Sequence, residues 1–241
     1  MRPILCIAIL FCCTHLHASQ KVDSTQNIWQ VHGFIQLNNN GISPVPAFSL
    51  GKPSLMTTLA ITKNRFIYGP EVNYGFDGLP WTVNSWFRYR SKEKNNNTYG
   101  AGTGLSFFFT RDEKMANSKG SYNQYLPFEL FFSHNFSDKN SLSLTYWHSN
   151  GLDSGSVKSG HFVILSAGFS KIKVSRSIKM DLRPNLFYIA NEIPFKGFFG
   201  SIMLNIYPNK SPLSLFSQVV QPFWLEGTSD FNYNFGLNFN F

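Results

Sequence analysis

Residues 231–241 read Phe-Asn-Tyr-Asn-Phe-Gly-Leu-Asn-Phe-Asn-Phe. Every odd position in this stretch is aromatic or Leu, and every even position is Asn or Gly. Because side chains on a strand point alternately to its two faces, one face of this strand is apolar and the other is polar. A soluble sheet would bury the apolar face in a core, whereas a membrane β-barrel turns it towards lipid.

The same alternation recurs along the rest of the chain, where apolar runs of period two are separated by polar turns. The pattern predicts one antiparallel transmembrane β-barrel of about twelve strands, which is all-β. The predicted strands are residues 28–37, 54–62, 65–76, 81–90, 99–109, 122–136, 141–148, 161–174, 178–190, 195–207, 213–223 and 231–241.

The lengths of the connections predict how this barrel is oriented. Short turns at 63–64, 137–140 and 175–177 alternate with long loops at 38–52, 110–121 and 149–160. Bacterial barrels have short periplasmic turns and longer outer loops. We therefore expect both termini to be periplasmic, as an even strand number requires.

Composition supports an apolar surface that is dispersed over strands. The chain has 241 residues, of which 25 are Phe and only 14% are charged, whereas about a quarter is usual in soluble proteins. No apolar run beyond the N-terminus approaches the roughly 18–20 residues of a membrane-spanning helix. A soluble exported β-sandwich with a hydrophobic ligand site remains an alternative.

The N-terminus has the pattern of a secretory signal peptide. Arg2 precedes an apolar run at 4–13, and the small residues Ala18 and Ser19 follow. We assign residues 1–19 to the signal peptide and 20–241 to the barrel. A lipoprotein signal is the alternative. All three cysteines fall in this segment, so the mature chain would lack disulfides, thiolate chemistry and cysteine metal sites: Cys6, Cys12 and Cys13.

The net charge of +8 comes from scattered cations and does not predict a nucleic-acid partner. Lipid phosphates are the expected contacts of the cations that lie near the membrane surface. The histidines show no metal-ligand spacing, so we expect no metal and no cofactor. Three tryptophans near predicted outer loop ends suggest an aromatic girdle at the membrane interface: Trp81, Trp147 and Trp224.

Side-chain alternation also predicts what faces the lumen. Trp86 and Arg88 should lie over a row of inward glycines (Gly100, Gly102 and Gly104), and Arg88 should pair with Glu71 or Glu129, because an enclosed charge needs a partner. About twelve strands with bulky inward side chains predict a narrow or plugged lumen. The inward charges form either a structural lattice or a selectivity ring: Glu71, Arg88, Arg90, Glu129, Lys179, Asp181 and Arg183.

The C-terminal strand ends on Phe241. This residue resembles the terminal aromatic of many Gram-negative outer-membrane β-barrel proteins. The resemblance implies a bacterial outer-membrane location, contact with outer-membrane lipid, and recognition of Phe241 by the barrel-insertion machinery.

One stretch suggests chemistry: Tyr-Trp-His-Ser-Asn-Gly at 146–151. It resembles the His-x-Ser-Asn signature of outer-membrane phospholipase A and the lipid A deacylases, which implies a serine lipid-ester hydrolase with a His as base and a polar residue orienting it. The candidate catalytic residues are His148, Ser149 and Asn150, although Asn150, at the position two after His148, cannot be the nucleophile. Here Ser149 directly follows His148, so the two side chains should point to opposite faces unless a bulge intervenes. Substitutes lie further along: Ser154, Ser156, Ser159 and a second histidine, His161.

Two functions therefore remain for a barrel. The favoured one is non-enzymatic: a narrow, porin-like channel for a small solute, or a structural or surface-interaction role. The alternative is a lipid-ester hydrolase that uses His148 and a nearby serine.

Overall fold

The computed structural model describes residues 28–43, 49–110, 121–191, 195–226 and 231–241. The described residues form twelve strands in chain order. Their bounds are β1 (Gln30–Asn38), β2 (Ser54–Lys63), β3 (Phe66–Gly75), β4 (Pro80–Arg90), β5 (Asn97–Thr110), β6 (Ser121–Asn135), β7 (Asn140–Gly151), β8 (Ser159–Lys173), β9 (Ile178–Asn191), β10 (Phe195–Pro208), β11 (Leu213–Glu226) and β12 (Asn232–Asn240).

These strands close into a single antiparallel barrel in which each strand pairs with its neighbours in sequence. β1 and β12 complete the ring, with Phe34 opposite Asn240 and Asn38 opposite Gly236. Closure leaves no unpaired strand edge, which gives the described residues, none of which is a cysteine, a continuous ladder of hydrogen bonds. The predicted fold and strand number are confirmed, and the predicted bounds differ by only a few residues, most in β7.

The wall has an apolar outside and a more polar inside. On β12, the Phe235 side chain is 54% exposed and the adjacent Asn234 is 2% exposed. Tyr74 and Leu144 are exposed on the outer surface as well. The soluble sandwich is therefore wrong, because these rings and leucines do not pack between two stacked sheets.

The start of β1 and the end of β12 lie at one end of the barrel, which we call the terminal end; the opposite end is the loop end. Short connections at 64–65, 136–139 and 174–177 occupy the terminal end, and longer ones at 39–53 and 152–158 occupy the loop end. The signal-peptide assignment (1–19) and the connection at 111–120 lie outside the described residues. Among the described residues, no helix is long and apolar enough to cross a membrane.

Candidate functional site

A charged cluster lies in the lumen where β4, β5, β6 and β7 meet. Nε of Arg88 donates to Oε1 of Glu129 at 2.8 Å. Nε1 of Trp147 donates to the other carboxylate oxygen of Glu129 at 2.6 Å. The guanidinium of Arg88 also lies 4.4 Å from the ring centre of Trp86, within cation–π range. The buried carboxylate, which is 6% exposed, is thus satisfied on both oxygens, and we call these four residues the central cluster.

The inward glycines of β5 make room for the central cluster. Gly102 lies opposite Arg88 on one side and opposite Glu129 on the other. A Cβ at Gly102 would lie 2.9 Å from Cγ of Arg88, which is closer than atoms can pack. Glycine therefore lets the ion pair cross over β5, as the predicted glycine row requires.

The two predicted partners of Arg88 have different roles in the structure. Glu129 forms the ion pair, which confirms that alternative. Glu71 faces the same lumen but accepts a hydrogen bond from Nδ2 of Asn84 at 3.0 Å. Glu71 is thus held from the adjacent strand β4, whereas Glu129 is held by Trp147 on the adjacent β7 and by Arg88 across β5.

Buried apolar side chains cluster inside the barrel towards the loop end, and we call this cluster the apolar seal. Trp147 of the central cluster packs against it. Its buried members come from β8 to β11 and from the loop that follows β1: Ile42, Phe162, Phe187, Ile189, Phe199 and Val220. The rings of Phe187 and Phe199 stack with centroids 5.0 Å apart. This cluster was not predicted from the sequence, and the expectation of a narrow or plugged lumen stays a prediction.

The first loop reaches the seal because its described parts are tied to the wall. The backbone N–H of Asn39 donates to the carbonyl of Phe235, and Nδ2 of Asn40 donates to the carbonyl of Tyr233. At its far end, Lys52 pairs with Asp77 at 2.7 Å. The hydrogen bond from Lys52, together with one from a backbone N–H, holds the pKa of Asp77 below its usual value.

Towards the terminal end the lumen becomes basic. On β9, Lys179, Asp181 and Arg183 share the inward face with the buried Phe187, which agrees with the predicted alternation. Lys179 lies directly opposite Lys173 of β8. Asp181 accepts hydrogen bonds from the hydroxyl of Tyr207 and from the backbone N–H of Lys171.

No ion pair is found for these lysines or for Arg183 among the described residues. Arg90 lies two residues beyond Arg88 on β4 and faces the lumen as well. We call Arg90, Lys173, Lys179 and Arg183 the basic vestibule. Like charges directly opposite one another destabilise a sheet, so the Lys173–Lys179 register is not explained by folding alone.

The predicted aromatic girdle is wrong for two of its three tryptophans. Trp81 is 2% exposed, because a bulge between β3 and β4 shifts the alternation beside it. Trp147 points into the lumen and contacts Glu129. Only Trp224, which is 49% exposed, lies on the outer surface as expected.

The adjacent pair His148 and Ser149 does not form a catalytic contact. No bulge interrupts the pairing of β6 with β7, where exposed Phe128 lies opposite His148 and buried Pro127 lies opposite Ser149. His148 therefore faces outwards and Ser149 inwards. Nε2 of His148 lies 3.0 Å from Oδ1 of Asn150, and an amide side chain supplies no nucleophile.

A second histidine has the contacts that His148 lacks. On the outer face near the loop end, Nδ1 of His161 lies 2.8 Å from the hydroxyl of Tyr146. Its Nε2 lies 3.4 Å from Oγ of Ser159, two residues before it on β8. The rings of His148 and His161 lie 4.7 Å apart, so the two histidines form one outward cluster. Ser156 is not part of it, because its hydroxyl donates to Asp153.

Phe241 closes the barrel seam at the terminal end. Its backbone N–H donates to the carbonyl of Gly33, and its own carbonyl accepts from the N–H of Gly33. Recognition of Phe241 by insertion machinery stays a prediction. Within the described ranges, no group of three or more His, Cys, Asp or Glu side chains could hold a metal ion.

Solved structures share this architecture. A KdgM porin superposes with a TM-score of 0.55 at 13% identity, covering 87% of this chain and 99% of that one. The COG4313 outer-membrane channel from Pseudomonas putida F1 gives 0.53 at 11% identity, covering 93% of this chain and 99% of that one. No family model and no curated protein matches the sequence, and none of these similarities supports the phospholipase-type signature. By fold, this chain is a closed antiparallel β-barrel similar to those of outer-membrane channels.

Proposed function

We propose that this protein is a narrow channel of the bacterial outer membrane, closed at the loop end in the present structure. The observation that carries the proposal is the division of the lumen into two halves. Basic side chains of the vestibule lie towards the terminal end, and the buried apolar side chains of the seal cluster towards the loop end. Apolar constrictions gate channels because water leaves them readily.

The composition of the seal supports opening by a movement of the first loop. Five of its buried members sit on strands, but Ile42 comes from the loop between β1 and β2 and is 5% exposed. Loops open at lower free energy than paired strands do. Withdrawal of this loop would remove one apolar side chain from the seal without breaking the barrel ladder. The likeness to the KdgM porin and the COG4313 channel supports a channel role by fold.

Single-channel conductance in planar bilayers tests the proposal. Wild-type protein should give small, infrequent openings, and Ile42→Ser should increase the open fraction because a polar side chain keeps water in the seal. Ile42→Leu is the matched control, since it keeps the apolar volume and should behave as wild type.

Each sample should first show the heat-modifiable gel migration of a folded barrel. If folded wild type and Ile42→Ser both pass no current, the channel proposal fails. A structural or surface-interaction role would then remain for this protein.

We infer a second candidate function, a lipid-ester hydrolase, from the outward contact of Ser159 with His161. A serine beside one imidazole nitrogen and an orienting group on the other is the arrangement of serine hydrolases. Tyr146 supplies the orienting group here. The Ser159–His161 distance of 3.4 Å exceeds the roughly 2.6–3.2 Å of a formed catalytic hydrogen bond, although such contacts often tighten when substrate binds.

Release of fatty acid from phospholipid and from lipid A tests this second candidate. Ser159→Ala should abolish release, whereas Ser149→Ala, on the inner face of β7, should leave it unchanged. Folded wild-type protein that is inert on both lipids would rule this function out.

A further inference from the structure

The outer wall carries an apolar groove over β5, near the terminal end. The groove encloses about 640 Å³, within the range of sites that hold a drug-sized ligand. Its floor consists of the small outward residues Ala101 and Thr103 of β5. Phe87 on β4 and Phe128 on β6 lie opposite Thr103 on either side. Small side chains between two rows of rings thus create the depression, which we call the β5 groove.

Ring contacts hold the walls of the β5 groove in place. Tyr68 and Phe87 stack with centroids 4.8 Å apart. Phe66 and Tyr89 meet edge to face at 5.4 Å. Each aromatic pair spans β3 and β4, so the shape of the groove is set by the ladder and does not depend on a loop.

The rim of the β5 groove at the terminal end is cationic. Lys63 lines the groove, and its Nζ lies 4.9 Å from the ring centre of Trp29. Arg65, across the tight turn, donates from Nη1 to the hydroxyl of Tyr89 at 2.9 Å. Neither cation forms an ion pair with a carboxylate in the part of the chain that the structure describes. Among the described residues, these two cations are therefore available to an anionic group at this rim.

We propose that the β5 groove binds one phospholipid with an anionic headgroup, with an acyl chain over Ala101 and the phosphate beside Lys63 and Arg65. A lipid-facing groove offers its apolar floor to hydrocarbon. Lys and Arg at the membrane surface attract anionic headgroups, and their long stems let the charges reach the interface. The proposal rests on the proposed membrane location but not on channel activity.

A second groove on the same wall provides an internal comparison. It encloses about 390 Å³ over β7 to β11, with Leu165, Ala167 and Gly200 among its lining residues. No charged residue lines it. If hydrocarbon contact alone selected lipids, both grooves would bind neutral and anionic phospholipids alike; only the β5 groove has the charges to distinguish them.

Native mass spectrometry of the folded, detergent-solubilised protein tests the proposal with phosphatidylglycerol and phosphatidylcholine at equal concentrations. Wild-type protein should retain one phosphatidylglycerol with roughly tenfold preference, since each surface cation contributes modestly. The double variant K63Q/R65Q should lose this preference. Ala101→Phe, which fills the floor, should reduce retention of both lipids.

Ala167→Phe in the second groove is the matched control and should leave the phosphatidylglycerol preference intact. The proposal is overturned if wild-type protein does not prefer phosphatidylglycerol, or if K63Q/R65Q keeps that preference. It is also overturned if Ala167→Phe abolishes the preference as completely as K63Q/R65Q does. Heat-modifiable migration verifies that each variant is folded. Because lipid retention is measured without conductance, a barrel that passes no current still gives a decisive answer.

Discussion

The substitution Glu129→Gln tests whether the central cluster stabilises the barrel. Gln keeps the volume of Glu, so no cavity contributes to the result. It removes the negative charge that pairs with Arg88 and weakens the hydrogen bond from Trp147. Since the Glu129 side chain is only 7% exposed, the loss leaves a cation without its partner in a partly enclosed lumen.

The expected loss in free energy of unfolding is about 2–3 kcal/mol. Leaving one member of a fully buried pair unpaired costs about 3–5 kcal/mol. The Arg88 side chain is 22% exposed, so water in the lumen recovers part of that cost. Reversible urea unfolding from lipid vesicles, followed by Trp fluorescence and gel migration, measures the difference.

Glu71→Gln is the matched control for this substitution. Glu71 also faces the lumen, but it accepts a hydrogen bond from Asn84 and forms no ion pair with any described residue. Its variant should lose less than about 1 kcal/mol of the free energy of unfolding. Arg88→Met combined with Glu129→Gln should cost less than the two single changes added together, because no unpaired charge remains. The reasoning is refuted if the free energy of unfolding of Glu129→Gln lies within about 0.5 kcal/mol of that of wild type. It is also refuted if the losses from Arg88→Met and Glu129→Gln simply add in the double variant.

Three further predictions concern other parts of the barrel. Gly100→Val should prevent folding, because its Cβ would overlap the ring of Phe131; a heat-modifiable band for this variant would contradict the packing. Asn95→Cys in a terminal-end turn should resist a membrane-impermeant thiol reagent on intact cells while Lys158→Cys reacts, and the reverse pattern would invert the expected orientation. The hydrogen bond from the backbone N–H of Gln124 lowers the pKa of Asp153. The stability that this carboxylate contributes is therefore present above its ordinary pKa and is lost as pH falls below about 4. Proteolysis of the loop at 152–158 should rise in wild type only in that acidic range, whereas in Asp153→Ala it should already be raised at neutral pH.

The sequence predicts the barrel well because the decisive information is local. Each strand carries its own alternation, and short turns fix the register of neighbouring strands. Counting residues through those hairpins brings Arg88, Gly102 and Glu129 together on three adjacent strands, as the structure shows. The same alternation puts Trp147 inside, since His148 beside it faces outwards. The prediction of Trp147 in an outer aromatic girdle was therefore inconsistent with the alternation of its own strand.

Two features could not be read from the alternation. A bulge adds one residue to a strand and reverses which face the side chains beyond it point to. Trp81 is buried for this reason, and the sequence around it does not predict the bulge. Ile42 lies in a loop without period, and its place in the seal depends on contacts with strands more than a hundred residues away in sequence. Ser159 and His161 enter the sequence prediction only as substitutes, although their spacing of two already puts them on one face.

The division of the lumen has a consequence for how a channel of this kind would work. The basic vestibule is built on β4, β8 and β9 near the terminal end, whereas the seal depends on Ile42 and inward rings near the loop end. Between them, Arg88 and Glu129 neutralise one another, so the centre of the lumen contributes little net charge. In the proposed channel, charge in the vestibule would set which ions enter, and hydration of the seal would set whether they pass. Because no residue belongs to both groups, we expect selectivity and opening to be altered separately by substitution.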